Sequence, residues 1–500
     1  MKKYKALLFA VLILQFTTMF SQDTIFVNQH IIVDMGDVME IPPNTVVMMN
    51  GQYLITVVGT FIAKGTADAP IKFTSNFDEN NSEITSWRGL EFQFTDDNPI
   101  ADSSIFEHCV FEFSYTYENC GSNGQGGAVR MTNSSRIRFS DCTFQHNYAS
   151  SMGGAMAMTA SNIIMERCAV VNNNTDLEFD SFGGAIYAMG SVFTMRNCLI
   201  NNNRSKRIGG ALFCIACNNA TIVNCEFSNN RGSTGGAMFL SACNNITFTN
   251  NLIHHNIGEF FGGGMGLGSS NFKMINCTLV DNYGGQGGGV YCSSNVLVNA
   301  YNSIFAGNRA AGNGAQLYFA YLESTFNLTN CVAEGGKYLF GGGGGGVAFH
   351  GTYHQVIEDE ILFESFGNYN YYLPENSPCI DAGEMKIAEF LDEFDIAGNG
   401  RVYNDIVDLG AFEWINTNGI EAHNLQNAEL NIYPNPAKGM ININLSNESY
   451  FGKYQIIDIS GKVHKTFELR DVSSAVDISN IPSGIYVVGG KGFALKLVVE

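Results

Sequence analysis

Charge is scarce in this chain of 500 residues, of which Lys, Arg, Asp and Glu make up 15%, against about 25% in an average soluble protein. The charge present is mostly acidic, giving a formal net charge of −20. A surface of that sign repels phosphate backbones, so nucleic acid is not an expected partner. Long apolar runs are missing beyond the N-terminus, so no transmembrane span is predicted.

Metal-site motifs are missing as well. No CxxC pair is matched by a second CxxC or by an HxxxH segment, so neither a zinc site nor another cofactor is indicated. No catalytic motif is recognisable either. The acidic residues of the central region are scattered rather than paired.

The first 22 residues have the pattern of an export signal. Lys2, Lys3 and Lys5 precede an apolar run from Ala6 to Phe16. The run is too short to span a bilayer, and no stop-transfer pattern follows it. Residues 1–22 are therefore predicted to be a secretory signal peptide, and the mature chain to be exported.

A Gly-Gly-Ala-like step then returns every 25 to 30 residues. A period of this size predicts a solenoid. Apolar residues alternate with a period of two inside each copy, which indicates strands rather than helices. The third residue of the step is found at Ala128, Ala155, Ala185, Ala211, Ala237, Gly264 and Gly289.

Asparagine also recurs once in each copy, at a predicted corner where it would adopt a left-handed backbone conformation. Three short strands per turn with fixed corners predict an all-β fold, a right-handed parallel β-helix. Equivalent residues of successive rungs would lie about 4.8 Å apart. The recurring residues are Asn147, Asn173, Asn203, Asn230, Asn256, Asn282 and Asn308.

The repeats resemble those of a known protein family. The Gly-Gly-Ala step, followed by an FxxN signature at residues 144–147 and 305–308, is similar to the repeats of polymorphic outer-membrane proteins. The resemblance implies a β-helical region that is frequently adhesive. We expect opening rungs over residues 23–125, the repeat region over 126–350 and a closing segment over 351–415.

The closing segment resembles the end of other exported bacterial β-helices and carries a cluster of charged residues. These residues are expected to tie down the last rung, and a calcium site or an acid–base pair is the alternative. The cluster consists of Asp381, Asp395, Arg401, Asp405 and Asp408.

After a polar linker at residues 416–428, about seven short strands predict a small immunoglobulin-like β-sandwich over residues 429–500. This part resembles the C-terminal sorting domain of the type IX secretion system of Bacteroidetes. The resemblance implies contact with that secretion machinery and delivery to the cell surface or the medium. The matching residues are Tyr433, Pro434, Asn435, Pro436, Gly439, Asp458, Gly461, Gly484, Tyr486 and Lys496.

Thirteen cysteines in an exported chain raise the question of disulfides. Five of them, Cys142, Cys168, Cys198, Cys225 and Cys277, occupy one inward position of the repeat, where parallel side chains give poor disulfide geometry. They are expected to be buried free thiols. Cys217 and Cys243, at equivalent positions of adjacent rungs, are the pair with the best prospect of a disulfide.

An outward position of the repeat is aromatic in several copies. Tyr187, Phe213 and Phe239 fall on three consecutive rungs, and Tyr291 follows two rungs later. Such a row predicts an exposed strip that binds an extracellular glycan or a cell surface. The alternative is a structural row hidden under a loop. The function expected is that of an adhesin-like or glycan-binding protein, with a pectate-lyase-like or glycoside-hydrolase enzyme as the rival.

Overall fold

The computed structural model describes two bodies, one over residues 22–415 and one over residues 431–499. Most of the predicted signal peptide and the whole predicted linker lie outside the described residues. The described ranges are 22–76, 86–93, 104–117, 124–175, 181–321, 323–342, 349, 351–358, 363–364, 370–402, 405–415, 431–433, 437–444, 452–458, 462–471, 473–490 and 493–499.

Residues 23–357 form the predicted parallel β-helix, whose strands belong to three sheets. The first sheet has twelve strands, most of which follow a Gly-Gly corner. They are Ile31–Val33, Ile55–Val57, Leu90–Gln93, Val129–Thr132, Met156–Thr159, Ile186–Met189, Leu212–Ile215, Met238–Ser241, Met265–Gly268, Val290–Cys292, Leu317–Phe319 and Gly341–Gly342.

The second sheet has 23 strands in two parallel rows, which Thr325–Ala333 joins by pairing with both rows. Its strands are Asp23–Val27, Val38–Ile41, Thr45–Met49, Thr60–Lys64, Ile71–Ser75, Ser104–Glu107, Cys109–Glu112, Ser135–Ser140, Thr143–Gln145, Asn162–Glu166, Ala169–Val171, Val192–Arg196, Leu199–Asn201, Thr221–Val223, Glu226–Ser228, Asn244–Thr249, Leu252–His254, Asn271–Ile275, Thr278–Val280, Leu297–Tyr301, Ile304–Ala306, Thr325–Ala333 and Tyr353–Ile357.

The third sheet has eight short strands between the recurring asparagine and the next Gly-Gly corner. The described residues of this body also form two 3₁₀ helices, Lys337–Leu339 and Met385–Phe390. The third-sheet strands are Tyr115–Thr116, Tyr148–Ala149, Asn174–Thr175, Arg204–Ser205, Arg231–Thr234, Ile257–Phe261, Tyr283–Gln286 and Arg309–Ala310.

Equivalent residues stack on one another, as the repeat predicts. Ile186, Leu212 and Met238 are in register on consecutive rungs and all three are buried. One coil alone exposes its inner face to water, so burial depends on the neighbouring rungs. The predicted inward phase of the first-sheet strands is confirmed.

The corners differ from the prediction by one residue. The left-handed conformation belongs to the residue before each recurring asparagine, for example Asn202 and Asn229 with φ of 53° and 55°. The recurring asparagine itself, such as Asn203 or Asn230, points inward and is buried. Its role is hydrogen bonding, not backbone conformation.

The buried asparagines form a continuous ladder from Asn147 to Asn308. The Nδ2 of Asn203 donates to the Oδ1 of Asn230 over 3.0 Å, and the Asn203 backbone N–H donates to the same oxygen over 2.9 Å. Asn203 Nδ2 also donates to the carbonyl of Val170 over 2.8 Å. Each amide thereby satisfies the backbone of the turn, which water cannot reach.

Glycine at the Gly-Gly corner is required by space as well as conformation. Gly183 has φ of 62°. At the following residue, Gly184, a Cβ atom would overlap the backbone oxygen of Gly210 on the next rung. No other residue fits both positions.

All twelve described cysteines are buried free thiols. Burial raises the pKa of the Cys277 thiol to about 12, which keeps it protonated and unreactive. Cys217 and Cys243 carry no disulfide; their Sγ atoms lie 3.5 Å and 3.7 Å from the carbonyls of Ala188 and Cys214. Cys120 lies outside the described residues.

We expect thiol titration of the native protein to detect at most one group, because twelve cysteines are buried. Denaturation in guanidinium without a reductant should release all thirteen. A total lower by two, with Cys217 and Cys243 linked in a peptide map, would instead establish the disulfide.

The closing segment runs along the side of the β-helix. We call residues 370–414 the strap. Three asparagines at the bends between the two rows of the second sheet hold it in place. Asn330, Asn276 and Asn250 donate Nδ2 hydrogen bonds of 3.0, 2.8 and 2.9 Å to backbone carbonyls of the strap. The prediction placed this segment at the last rung, whereas it crosses several rungs. Corner residues that face outward make this attachment possible.

The strap forms a second hydrophobic core on the outer face of the second sheet. Leu252, Val280 and Ile304 of the sheet pack against strap residues including Tyr371 and Leu409. These outward apolar side chains interrupt the alternation of the strands, because the strap shields them from water. The strap is thus an integral part of the β-helix.

The C-terminal body contains seven strands in two antiparallel sheets of three and four strands. Both sheets contribute to one core that includes Ile441, Tyr454 and Leu497. Two sheets around one core agree with a sandwich, and the immunoglobulin-like topology stays a prediction. The strands are Asn431–Tyr433, Met440–Asn444, Gly452–Asp458, Val463–Leu469, Ser473–Asp477, Gly484–Gly490 and Phe493–Val499.

Candidate ligand-binding surface

The predicted aromatic row is stacked but is not an exposed strip. Tyr187, Phe213 and Phe239 are in register on consecutive rungs, with ring centroids 5.8 Å and 6.0 Å apart. Tyr187 is only 7% exposed and Phe213 only 8%. The predicted exposure is therefore wrong for these two rings.

The cover comes from residues just before the Gly-Gly corners. Met152, Phe182 and Ile208 pack against the buried aromatic cluster, and the Phe182 ring stacks on Phe213 with centroids 5.3 Å apart. The guanidinium of Arg207 lies 5.7 Å from the centre of the Phe182 ring. These side chains form an outer layer over the first sheet.

The last two members of the row are more accessible. Phe239 is half-buried and its ring lies against Gly266 of the next rung. Tyr291 is half-buried between Phe261 and Tyr318, with centroids 4.7 Å and 5.6 Å away. The four predicted residues therefore make no continuous open platform.

A second outward row, which the sequence reasoning missed, follows the third sheet. We call it the Tyr/Arg ridge. Its members pair from rung to rung across all eight strands of the sheet. They are Tyr115, Tyr148, Asn174, Arg204, Arg231, Ile257, Tyr283 and Arg309.

The alternation of the short strands points the ridge outward. The neighbouring inward residues, such as Thr116, Ala149 and Ser205, are small and buried, because they face the narrow interior beside the Gly-Gly corners. Seven steps of about 4.8 Å give the ridge a length of roughly 34 Å. It is therefore a straight, regularly spaced row.

Aromatic rings lie near both ends of the ridge. Tyr115 and Tyr148 stack with centroids 4.5 Å apart and planes inclined by 12°. Tyr283 is 44% exposed, and Phe260 beside it is 61% exposed. Tyr283 and Phe260 are thus the open rings of this surface, whereas Tyr115 and Tyr148 are half-buried.

The middle and the last rung of the ridge are basic. Arg204, Arg231 and Arg309 are exposed. Arg231 makes an ion pair with Glu259, with 2.9 Å between Nη2 and Oε1. Arg204 and Arg309 have no ion-pair partner among the described residues.

The sequence contains a simple pattern that marks the ridge: from Tyr148 onward, each ridge residue directly follows a ladder asparagine.

Titratable side chains also cluster where the strap meets the rungs. The Nε2 of His254 lies 3.1 Å from Glu226 Oε1, and its Nδ1 lies 3.0 Å from His255 Nδ1. The Tyr371 hydroxyl lies 3.0 Å from His255 Nδ1 and donates to Asp281 over 3.1 Å. Five side chains thus connect three successive rungs to the strap.

Burial explains the protonation of this cluster. It lowers the pKa of His255 to about 4, so the imidazole is neutral at neutral pH, and it raises the pKa of Asp281. The pKa of Glu226 is below its usual value, because hydrogen bonds from His254 and Ser228 outweigh the opposite effect of burial. The arrangement fastens the strap. Tyr371, which is 1% exposed, covers the histidines.

The predicted charged cluster of the closing segment is held within the strap. Arg401 is buried and donates to the carbonyls of Asp408 and Gly410 over 3.1 Å and 2.7 Å, and burial lowers its pKa. Asp395 accepts the backbone N–H groups of residues 397, 399 and 413. Asp381 donates its N–H to Asp408, and Asp405 is exposed. The cluster orders the strap by hydrogen bonds.

No group of three His, Cys, Asp or Glu side chains within the described ranges is placed to hold a metal ion. The calcium alternative at the strap therefore stays a prediction. The described part of the chain also has no helix that is both long and apolar enough for a membrane crossing.

The predicted sorting residues lie mainly at strand ends and turns of the C-terminal body. Tyr486 is buried, and its hydroxyl donates to the Pro482 carbonyl over 2.7 Å. Gly439 has φ of 79°. Tyr433, Asp458, Gly484 and Lys496 lie in strands. Pro434, Asn435, Pro436 and Gly461 lie outside the described residues.

Comparison with known families agrees with this architecture. Residues 431–494 match the secretion system C-terminal sorting domain. Residues 47–237 and 209–361 match the right handed beta helix region. A search of curated proteins found no match. The sorting domain assigns the protein to type IX secretion, to the cell surface or the extracellular space. The match to the right handed beta helix region covers more than half of the chain, so the chain belongs to the right-handed β-helix family.

Proposed function

We propose that this exported β-helix is an adhesin-like, glycan-binding protein whose ligand lies along the Tyr/Arg ridge. The observation that supports the proposal is the ridge itself, with eight outward residues in register on eight rungs. An extended polymer can contact such a row repeatedly. Many weak contacts of this kind give a high overall affinity, because once the first contact has formed, the others form within the same complex.

The chemistry of the ridge suits sugar chains. Tyr115 and Tyr148 stack face to face, so they offer a sugar their outer ring edges and hydroxyls, and Tyr283 adds a more exposed ring with a hydroxyl. Asn174 and the arginines add hydrogen-bond donors between the aromatic ends. Of the row expected from the sequence, Phe239 and Tyr291 remain a smaller second candidate, since both are half-buried.

Replacing Tyr115, Tyr148 and Tyr283 together by serine should weaken glycan binding at least tenfold, about 1.4 kcal/mol. Aromatic side chains commonly dominate the affinity of a binding surface. A glycan array followed by titration of the strongest ligand measures the effect. The control is Phe26→Ser, which removes a ring that is 61% exposed on a strand of the second sheet, Asp23–Val27, and should leave binding unchanged.

The same samples discriminate against the rivals. Unchanged affinity in the triple variant, with loss in a Phe239→Ser/Tyr291→Ser variant, would move the site to the first sheet. An increase of reducing ends or unsaturated products during incubation with a polysaccharide would favour the lyase or glycoside-hydrolase alternative. Absence of binding to every glycan would contradict the proposal.

A further inference from the structure

The ridge concentrates positive charge on a protein that has little of it. The chain has 27 basic residues against 47 acidic ones. Arg204, Arg231 and Arg309 nevertheless share one outward row, and Lys206 and Arg207 are exposed beside it. Among the described residues of the third sheet, Glu259 is the one acidic side chain. The described part of the third sheet is therefore richer in basic than in acidic side chains, unlike the chain as a whole.

We infer that the ridge selects acidic, carboxylate-bearing polysaccharides over neutral ones; this inference rests on the proposed function. Exposed guanidinium groups bind carboxylates through paired N–H donors, a geometry that lysine lacks. Arg204 and Arg231 stand on adjacent rungs, and Arg309 follows three rungs after Arg231. Charged groups spaced along a polymer would meet Arg204 and Arg309 directly, and Arg231 through the Nη1 group that Glu259 leaves unpaired.

The sparse spacing favours a polysaccharide over a nucleic acid. Duplex DNA carries about one charge per 1.7 Å of its axis, far denser than three arginines spread over four rung steps of about 4.8 Å each. The surrounding net charge of −20 would repel such a dense polyanion. A polymer with widely spaced carboxylates has less repulsion to overcome.

The test compares hyaluronan with its methyl ester, which has the same backbone without the charge. The ridge variant is Arg204→Gln/Arg231→Gln/Arg309→Gln. The control is Lys64→Gln/Arg138→Gln/Lys386→Gln, which changes the net charge by the same three units away from the ridge. Asp176, Glu178 and Asp180 lie outside the described residues and stay unchanged in every protein.

We expect the wild-type protein and the control to bind hyaluronan at least tenfold more tightly than the methyl ester. The ridge variant should lose that preference, and the wild-type affinity should fall as salt is raised. Equal binding of both polymers by wild type, or an equal loss in the control, would overturn the inference and leave the glycan proposal standing. Binding of an oligonucleotide more tightly than hyaluronan would also overturn the inference. No binding of either polymer, together with an empty glycan array, would reject the proposed function itself.

Discussion

A chain that ends at residue 428 should fold its β-helix and strap but should no longer reach the cell surface or the medium. The C-terminal body has its own core, built from residues such as Ile441 and Leu497. The cores of the β-helix and the strap contain none of its described residues. Removing residues 429–500 therefore removes the sorting signal without opening either core.

Cell fractionation with an antibody against the β-helix measures where the truncated chain accumulates, and we expect the periplasm. Limited proteolysis of that material should give the same resistant fragment as the full-length protein, which shows that folding is intact. The Phe26→Ser protein serves as the export control. Normal appearance of the truncated chain outside the cell would contradict the sorting assignment.

The repeat made the β-helix predictable from its sequence. Each rung solves the same packing problem, so the Gly-Gly step and the alternation of apolar residues reappear in every copy. Ile186, Leu212 and Met238 stack as the pattern indicates. The sorting domain was equally clear, because its motifs match as far as the end of the chain.

The candidate site was harder to predict, because exposure depends on residues outside the strands. Tyr187 and Phe213 occupy outward positions, yet Phe182 and its neighbours cover them. A pattern with period two tells inside from outside but gives no information on an outer layer. The path of the strap was also hidden, since its contacts with Asn250 and Asn276 join residues more than 100 positions apart.

The Tyr/Arg ridge, by contrast, was within reach of the sequence. Tyr148, Arg204 and Arg231 each follow a ladder asparagine directly. The strands that carry them have only two to four residues, so they offer too little alternation to be recognised as a sheet. The repeat pattern predicts a corner at the asparagine and indicates no strand between it and the Gly-Gly step.

The asparagine ladder should be the most sensitive polar element of the β-helix. Asn230→Ala removes the oxygen that accepts the backbone N–H of Asn203 and the amide that donates to the carbonyl of Ile200 over 2.9 Å. Each buried group left unpaired costs about 1–3 kcal/mol. We therefore expect about 3 kcal/mol less stability, concentrated in the rungs on either side.

The neighbouring Asn229 provides the matched control. It is exposed and has φ of 55°, so glycine can replace it at a cost of about 1 kcal/mol or less. Hydrogen exchange followed by mass spectrometry should show that Asn230→Ala speeds exchange around the Asn203 amide, whereas Asn229→Gly leaves it protected. Thermal unfolding should rank the two variants in the same order. Equal protection in both would mean that the buried amide network does not hold the turns, and that packing of the inward apolar side chains alone keeps the rungs together.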